Sequence, residues 1–326
     1  MPAIPEIKIS VPAVLPLGFL RIERNDHSQL CLLGISLESP AIRLSARRAD
    51  QLTVRGPRAH IVHDYSGRIF AQYLLPSSAE IEVEEIIPAY LGLGGDLLLG
   101  LATAQALAWV HSLPDREIGS LAASLNLRPE EGLFTAGYTR GGLLLVDVQG
   151  NPAAPVIVRR SEIRAGAGDE WTFVIYCPPA PASTPEAIEE LRLRHAVLAG
   201  SHLSIEKGES ILAGLQAAID QHDLAAMGGG LLALQNSNRE ARLQAAVTTG
   251  HLSFEQRDVL ALFQDSGAKA WGSIPTGIGI YALIGGVEAG RELTRKVNQL
   301  IETIGGQVIA TQADNQGARR VVTEAI

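Results

Sequence analysis

The sequence predicts an α+β protein with two lobes, and two patterns support this fold class. Apolar and polar residues alternate with a period of two over residues 6–11 and 42–48, which is typical of half-buried strands, and strand-like segments fill the first third of the chain. Helical spacing of apolar residues dominates the second half, for example over residues 205–219 and 254–264. Because strands and helices do not alternate regularly, the pattern differs from that of a doubly wound parallel sheet.

Composition restricts the classes of function. The chain has 326 residues, of which 46% are hydrophobic and 19% charged, and this excludes a largely disordered protein. A formal net charge of −8 and an aromatic content of 5% disfavour nucleic-acid binding through an overall basic field or stacking rings. Cys31 and Cys177 are expected to be reduced and buried. The N-terminal residues do not resemble a signal peptide, so we expect a cytoplasmic protein.

The apolar segment 89–110 is expected to form a buried helix rather than a membrane span. Gly92, Gly94 and Gly95 interrupt its first part. The remaining helix, residues 97–112, is shorter than the roughly 20 apolar residues that a spanning helix needs. We therefore expect no membrane partner.

A Gly- and charge-rich segment, residues 164–170, predicts the boundary between the lobes. It divides the chain into an N-terminal lobe, residues 1–165, and a C-terminal lobe, residues 166–326. Two strands are expected shortly before this boundary, at residues 132–138 and 142–148.

The sharpest local feature is the segment PAYLGLGGD, residues 88–96, which leads into the apolar helix. Glycines before a helix let backbone N–H groups approach an anion closely, and the helix dipole favours negative charge there. The functional interpretation is a phosphate cradle. The alternative is a tight turn that packs a strand against the helix, with Asp96 as an ordinary N-cap. A carboxylate at this point suits a phosphate that carries Mg²⁺.

Three other segments allow a functional and a structural interpretation. The segment WGSIPTGIG, residues 271–279, is either a loop that needs positive φ angles or a wall facing the first glycine loop. Arg140 either clamps a phosphate or carboxylate or is simply solvated, and Asp147 is expected to form a turn. The triple glycine at residues 228–230 is expected to pack closely or to kink a helix, with a substrate-facing role as the alternative. The histidines show no zinc-binding spacing.

The order of these motifs resembles the GHMP kinase superfamily, and within it more closely the β-ribofuranosylaminobenzene 5′-phosphate synthases. The resemblance runs over nearly the whole chain as short matches. The residues that carry it are Pro88, Gly92, Leu93, Gly94, Gly141, Gly142, Asp147, Gly272, Gly277, Asn315, Gly317 and Ala318. Polar positions depart from the family pattern: Tyr90 replaces a histidine, Gly95 replaces a serine, and residues 126–132 lack most polar residues of another motif.

The resemblance implies a GHMP-kinase-like fold, with an S5-domain-2-like N-terminal lobe, a ferredoxin-like C-terminal lobe and a site between them. It also implies a transferase that acts on phosphoribosyl pyrophosphate and a 4-amino- or 4-hydroxybenzoate in methanopterin biosynthesis. This reaction uses Mg²⁺ and releases carbon dioxide and pyrophosphate. The implied partner is a phosphorylated small molecule, and the implied assembly is a homodimer.

The resemblance also assigns roles to residues of this chain. Gly92, Gly94 and Gly95 would donate backbone N–H groups to phosphate, and Asp96 would help to hold Mg²⁺. Arg128 and Arg140 are the nearest replacements for the family's cations. The facing wall would consist of Gly272, Ser273, Thr276 and Gly277, with Asn315 supporting that wall or the substrate.

Two alternatives come from other classes of function. Four motifs have lost polar residues, which favours a non-catalytic paralogue that acts as a binding or partner subunit. An ATP-dependent small-molecule kinase is the third hypothesis. It is disfavoured because no serine follows the G-L-G of the helix loop.

Overall fold

The computed structural model describes residues 5–114, 116–164, 170–180, 185–247 and 252–323, and it confirms the α+β architecture. The strands are β1 (Glu6–Arg24), β2 (His27–Arg47), β3 (Thr53–Arg55), β4 (Glu80–Glu85), β5 (Leu143–Asp147), β6 (Ile157–Ser161), β7 (Trp171–Cys177), β8 (Ala270–Ser273), β9 (Ile280–Gly285), β10 (Gln307–Thr311) and β11 (Arg319–Thr323). The helices are α1 (Ala59–Tyr73), α2 (Gly95–Val110), α3 (Ile118–Ala123), α4 (Gly132–Arg140), α5 (Pro185–Ala199), α6 (Ile205–Asp220), α7 (Leu224–Gln244), α8 (Phe254–Asp265) and α9 (Val287–Ile301). The predicted lobe boundary lies outside the described residues.

The first sheet is built on a long antiparallel hairpin of β1 and β2. Asn25 and Asp26 form its turn with φ values of 51° and 61°, the left-handed conformation that tight two-residue hairpins require. The sheet order is β11-β1-β2-β4-β3, with β5 beside β2 and β6 beside β5. Bulges after Pro12 and Pro16 shift the register of β1. Residues 11–20 of β1 are all buried, so the period-two pattern marks only the first part of that strand.

Helix α2 crosses this sheet and is buried almost completely. Thirteen of its sixteen residues are buried, because it packs on β1, β2, α1, α3 and α4. A helix surrounded in this way is apolar on every side, as the sequence of α2 is. Its buried Thr103 hydroxyl donates to the carbonyl of Leu99 at 2.8 Å, so no polar atom of that side chain is left unsatisfied. Among the described helices, none is both long and apolar enough to cross a membrane.

The second sheet has the antiparallel order β10-β7-β9-β8. Alternate residues of its central strand β7 face two different cores. Phe173 and Ile175 join the main core with the first sheet, whereas Val174 and Tyr176 join a smaller core under α8 and α9. The strand is therefore buried on both faces. Cys177 at its end, like Cys31 in β2, is a free buried thiol, as predicted.

The prediction of a strand at residues 132–138 is wrong, because these residues belong to helix α4. Residues 132–138 are all buried, so the sequence carries no alternation that would distinguish a strand from a helix. Gly137 allows the helix to approach β1, since a Cβ atom there would lie 2.4 Å from Cγ2 of Val14. The second predicted strand is present as β5.

The triple glycine lies within α7, and its members differ in their surroundings. A Cβ atom on Gly228 would lie 2.3 Å from the carbonyl oxygen of Lys269, whereas a Cβ on Gly229 would meet nothing within 4 Å. The close-packing interpretation therefore holds for Gly228.

These two neighbours form a matched pair for a stability experiment. Gly228→Ala should lower the free energy of unfolding by about 1–3 kcal/mol, because the new methyl group overpacks a backbone contact. Gly229→Ala should raise it by about 0.5–1 kcal/mol through helix propensity alone. Urea unfolding followed by circular dichroism measures both. Equal effects of the two substitutions would contradict the packing of α7 described here.

Candidate functional site

The glycine loop enters α2 through residues in left-handed conformations. Gly92 and Gly94 have φ values of 83° and 79°, and Gly94 is the N-cap of the helix. As a glycine, this N-cap residue has no side chain that could accept a hydrogen bond from the first turn. Backbone N–H groups of a first helical turn lack partners within the helix, and the dipole makes this end attractive to an anion. The predicted cradle lies at this helix end, and phosphate binding there stays a prediction.

The second glycine segment faces the first, as one interpretation of the sequence required. The Thr276 hydroxyl donates to the carbonyl of Gly92 at 2.8 Å, and the Ile278 N–H donates to the carbonyl of Tyr90 at 2.9 Å. Thr276 is buried, and a Cβ atom on Gly92 would lie 2.5 Å from the backbone nitrogen of Gly277. The loop between β8 and β9 is thus fixed to the loop that precedes α2.

A cleft of about 460 Å³ opens at this junction. Four of the predicted site residues line it, namely Gly92, Gly94, Asp96 and Thr276. Arg128, one of the two cations suggested by the resemblance, lines it as well. The remaining lining residues are Tyr65, Arg68, Leu97, Leu125, Asn126, Leu127, Glu131 and Phe134.

Two ion pairs hold most of the charge in the cleft. Nη2 of Arg58 lies 2.8 Å from Oδ2 of Asp96, with both side chains largely buried. Nη2 of Arg128 lies 2.7 Å from Oε1 of Glu131, three residues further on. The guanidinium of Arg68 lies over the ring of Tyr65, 5.5 Å from its centre. The chain therefore supplies both signs of charge beside the helix end.

Tyr65 forms part of the wall under α2. Burial, and after it the charge of Asp96, raises the pKa of Tyr65 to about 12, so its hydroxyl is protonated at neutral pH. A Cβ atom on Gly100 would lie 2.8 Å from the Tyr65 ring. This glycine lets the ring lie flat against the helix.

The structure places other predicted residues elsewhere. Arg140 and Asn315 line a separate cleft together with Thr139 and Arg160. The Asn315 side-chain amide bonds both backbone groups of Ile163, at 3.0 and 2.9 Å, which gives it a structural task. The chain therefore does not bring Arg140 to the lining of the glycine-loop cleft.

Gly272, Ser273 and Asp147 also have contacts away from the cleft lining. A Cβ atom on Gly272 would meet the side chain of Gln235 at 2.5 Å, and the carbonyl of Ser273 accepts from the same Gln235 amide. The carboxylate of Asp147 accepts from the N–H of Gln149, the turn interaction that the sequence predicted.

The donor set of the cleft does not fit a Mg²⁺ ion held by the protein alone. Asp96 and Glu131, its two carboxylates, are each ion-paired with an arginine. Among the described residues there is no group of three or more His, Cys, Asp or Glu side chains placed to hold a metal. Mg²⁺ binding by Asp96 stays a prediction that would need a phosphate to supply most ligands.

Sequence reasoning missed Tyr65 and Arg68, which reach the cleft from α1. No motif marks them, because only the packing of α1 on α2 brings them there. Arg128 and Glu131 lie within the diverged motif at residues 126–132. Their position in that motif was the sequence feature that could have marked them as cleft residues.

Asp96 and Glu288 provide a matched test of the buried ion pair. Each is the second residue of its helix and pairs with an arginine, but the Glu288 and Arg291 side chains are exposed. Asp96→Asn should lower the free energy of unfolding by about 1–2 kcal/mol, since it removes a largely buried pair and a charge at the helix N-terminus. Glu288→Gln should have little effect. Thermal or urea unfolding in low salt measures both, and equal effects would contradict this account of Asp96.

Comparisons with known proteins agree with the fold. No protein-family model matches the chain, and no curated protein matches it in sequence. Similar solved structures include homoserine kinase from Cytophaga hutchinsonii (18% identity, 97% of each chain covered, TM-score 0.63). They also include mevalonate diphosphate decarboxylase from Staphylococcus aureus (15%, 98% of each chain, 0.63) and mevalonate kinase from L. major (13%, 94% of this chain and 96% of that one, 0.65). The chain therefore has a GHMP-kinase-like fold.

Proposed function

We propose that the glycine-loop cleft binds the phosphate end of a phosphorylated small molecule and that the protein is a transferase acting on it. The observation that carries this proposal is the N-terminus of α2, which begins after a glycine N-cap and opens into a cleft of about 460 Å³ between two glycine loops. Fixed backbone N–H groups at a helix end bind anions without a conserved motif. Arg68 and Arg128 add positive charge beside it.

The rest of the cleft suits a flat apolar group attached to or beside the phosphate. Leu125, Leu127 and Phe134 contribute apolar surface, and Tyr65 adds an aromatic ring. Ligand sites commonly combine such apolar walls with a few placed polar groups. A benzoate ring and a nucleobase both have this chemistry.

The sequence resemblance favours phosphoribosyl transfer as the reaction. The ring carbon that bears the carboxylate of a 4-amino- or 4-hydroxybenzoate would bond to the ribose carbon, with loss of carbon dioxide and pyrophosphate. Phosphoryl transfer from ATP is the second candidate, because two similar structures are described as a homoserine kinase and a mevalonate kinase. Both reactions require a site for a pyrophosphate group.

A non-catalytic role has its own supporting observation. The Asp96 carboxylate lies in the first turn of α2, where its charge opposes the entry of an anion. A ligand phosphate must therefore overcome this repulsion through Arg68, Arg128 and the backbone. If a ligand phosphate does not overcome this repulsion, the cleft binds no phosphate and the protein acts through a partner protein.

Binding of pyrophosphate tests the cradle, and the choice of variant matters. Gly94 is unsuitable, because a Cβ atom there would lie 2.3 Å from the Phe134 ring and its φ is positive, so a substitution would disturb the fold. Arg68→Ala is suitable, with Arg257→Ala as its control, since Arg257 also lies 5.5 Å from the centre of an aromatic ring, outside the cleft.

Arg68→Ala should weaken pyrophosphate binding roughly fivefold by calorimetry at low salt, because one cation of the site is lost. Arg257→Ala should bind like the parent protein. Unchanged affinity of Arg68→Ala for pyrophosphate would show that the anion does not bind in this cleft. Equal losses of affinity in both variants would indicate a non-specific surface effect.

The reaction is tested by pyrophosphate release. With Mg²⁺, phosphoribosyl pyrophosphate and 4-hydroxybenzoate or 4-aminobenzoate, we expect release that depends on the acceptor. Thermal stabilisation by ATP without such release would support the kinase instead. A folded sample that responds to none of these ligands would support the partner subunit.

A further inference from the structure

Strand β11 is an unpaired edge of the first sheet. It pairs with β1 on one side, and no other described strand covers its outer side. All five of its residues are exposed, including Val321 at 63% and Val322 at 40%. Edge strands with free backbone groups and apolar side chains are templates for pairing with another chain.

A hollow of about 580 Å³ adjoins this edge and is lined by both apolar and polar residues. Its apolar part consists of Val322 of β11, Trp109, Leu113 and Pro114, and its polar part consists of Ser112, Arg116, Glu117 and Arg320. A side chain from a strand added at β11 could enter this hollow. Pockets for alternate side chains provide specificity when an extended peptide joins a sheet.

The hollow continues into two clefts that we call the basic groove, defined by Arg116, Arg140, Arg160 and Arg320. Arg320 lines the hollow and a cleft of about 630 Å³, and Arg140 lines that cleft and the next one, of about 550 Å³. Among the described lining residues, Glu117 is the one acidic side chain, and Glu162, which is not in the lining, pairs with Arg160 at 3.3 Å. A protein with a net charge of −8 thus collects arginines along one edge.

Arg160 fixes the geometry of the groove. Its guanidinium donates to the carbonyls of Arg140, Gly141 and Asn315 at 2.7–3.3 Å. These bonds tie the end of α4 to the segment before β11. Arg140 and Arg320 are therefore presented by a rigid wall.

We propose that β11 and the basic groove bind an extended acidic segment of a partner protein, which adds a strand to the first sheet. The backbone edge selects an extended chain, the hollow takes one apolar side chain, and the arginines select carboxylates. A second copy of this chain would bring two basic grooves together, so charge complementarity favours an acidic partner.

This surface is separate from the glycine-loop cleft. Asp96 lines that cleft, whereas Gln105, nine residues further along α2, lines the basic groove. At about 1.5 Å per residue the two lie about 13 Å apart along the helix. A small molecule and a partner segment can therefore be bound together.

Fluorescence anisotropy with labelled synthetic peptides tests the proposal on the full chain. The probe is a seven-residue peptide of alternating glutamate and valine, and its control replaces glutamate by lysine. The glutamate peptide should bind, and the double variant Arg140→Glu/Arg320→Glu should weaken it at least about tenfold, because two attractions become repulsions. The variant Arg239→Glu/Arg257→Glu has the same net charge and should bind like the parent.

Hydrogen exchange then reports on the added strand. Peptide binding should slow exchange of the amides in β11, and Val322→Glu should weaken binding by closing the hollow to an apolar side chain. Equal binding of the lysine peptide, unchanged affinity of Arg140→Glu/Arg320→Glu, or unprotected β11 amides would each overturn the proposal. So would sedimentation showing a dimer that Val322→Glu dissociates, since a second copy would then occupy the edge.

Discussion

The burial of α2 is the constraint on which the other features depend. An apolar helix needs cover on every side, and β1, β2, α1, α3 and α4 supply it. Its three residues that are not fully buried are Asp96, Gln105 and Trp109, and each of them lines a different cleft. Each gap in the cover of α2 is therefore part of the wall of a cleft.

The glycine-loop cleft combines a helix N-terminus with charges that the chain has already paired. Arg58 pairs with Asp96, and Glu131 pairs with Arg128. Such pairs keep partly buried charges stable when no ligand is present. They also mean that a ligand must offer enough contacts to compete with existing partners, which favours a multiply charged group such as pyrophosphate over a single carboxylate.

Much of the fold follows from the sequence, because local patterns reflect local burial. Strands with one solvent-facing side, such as the first part of β1, alternate visibly. The segment 132–138 does not, since it is buried all round, and α4 could not be distinguished from a strand. The lining of the glycine-loop cleft was predictable where the two glycine loops form it, at Gly92, Gly94 and Thr276. The lining was not predictable where tertiary packing brings residues together, as for Arg68. The sequence also could not distinguish Arg128, which lines this cleft, from Arg140, which lines another cleft.

The pairing of β11 with β1 has a consequence for how the chain is made. Glu6 pairs with Thr323, so this contact joins residues more than 300 positions apart. During synthesis β1 and β2 emerge early. The outer side of β1 cannot pair with β11 until β11 has left the ribosome. Such non-local pairing is slow and leaves a strand edge exposed during folding. Lys8 lies at the centre of the part of β1 that pairs with β11, and its charged side chain is half exposed. A charge on an edge strand discourages pairing with a wrong strand before β11 is in place.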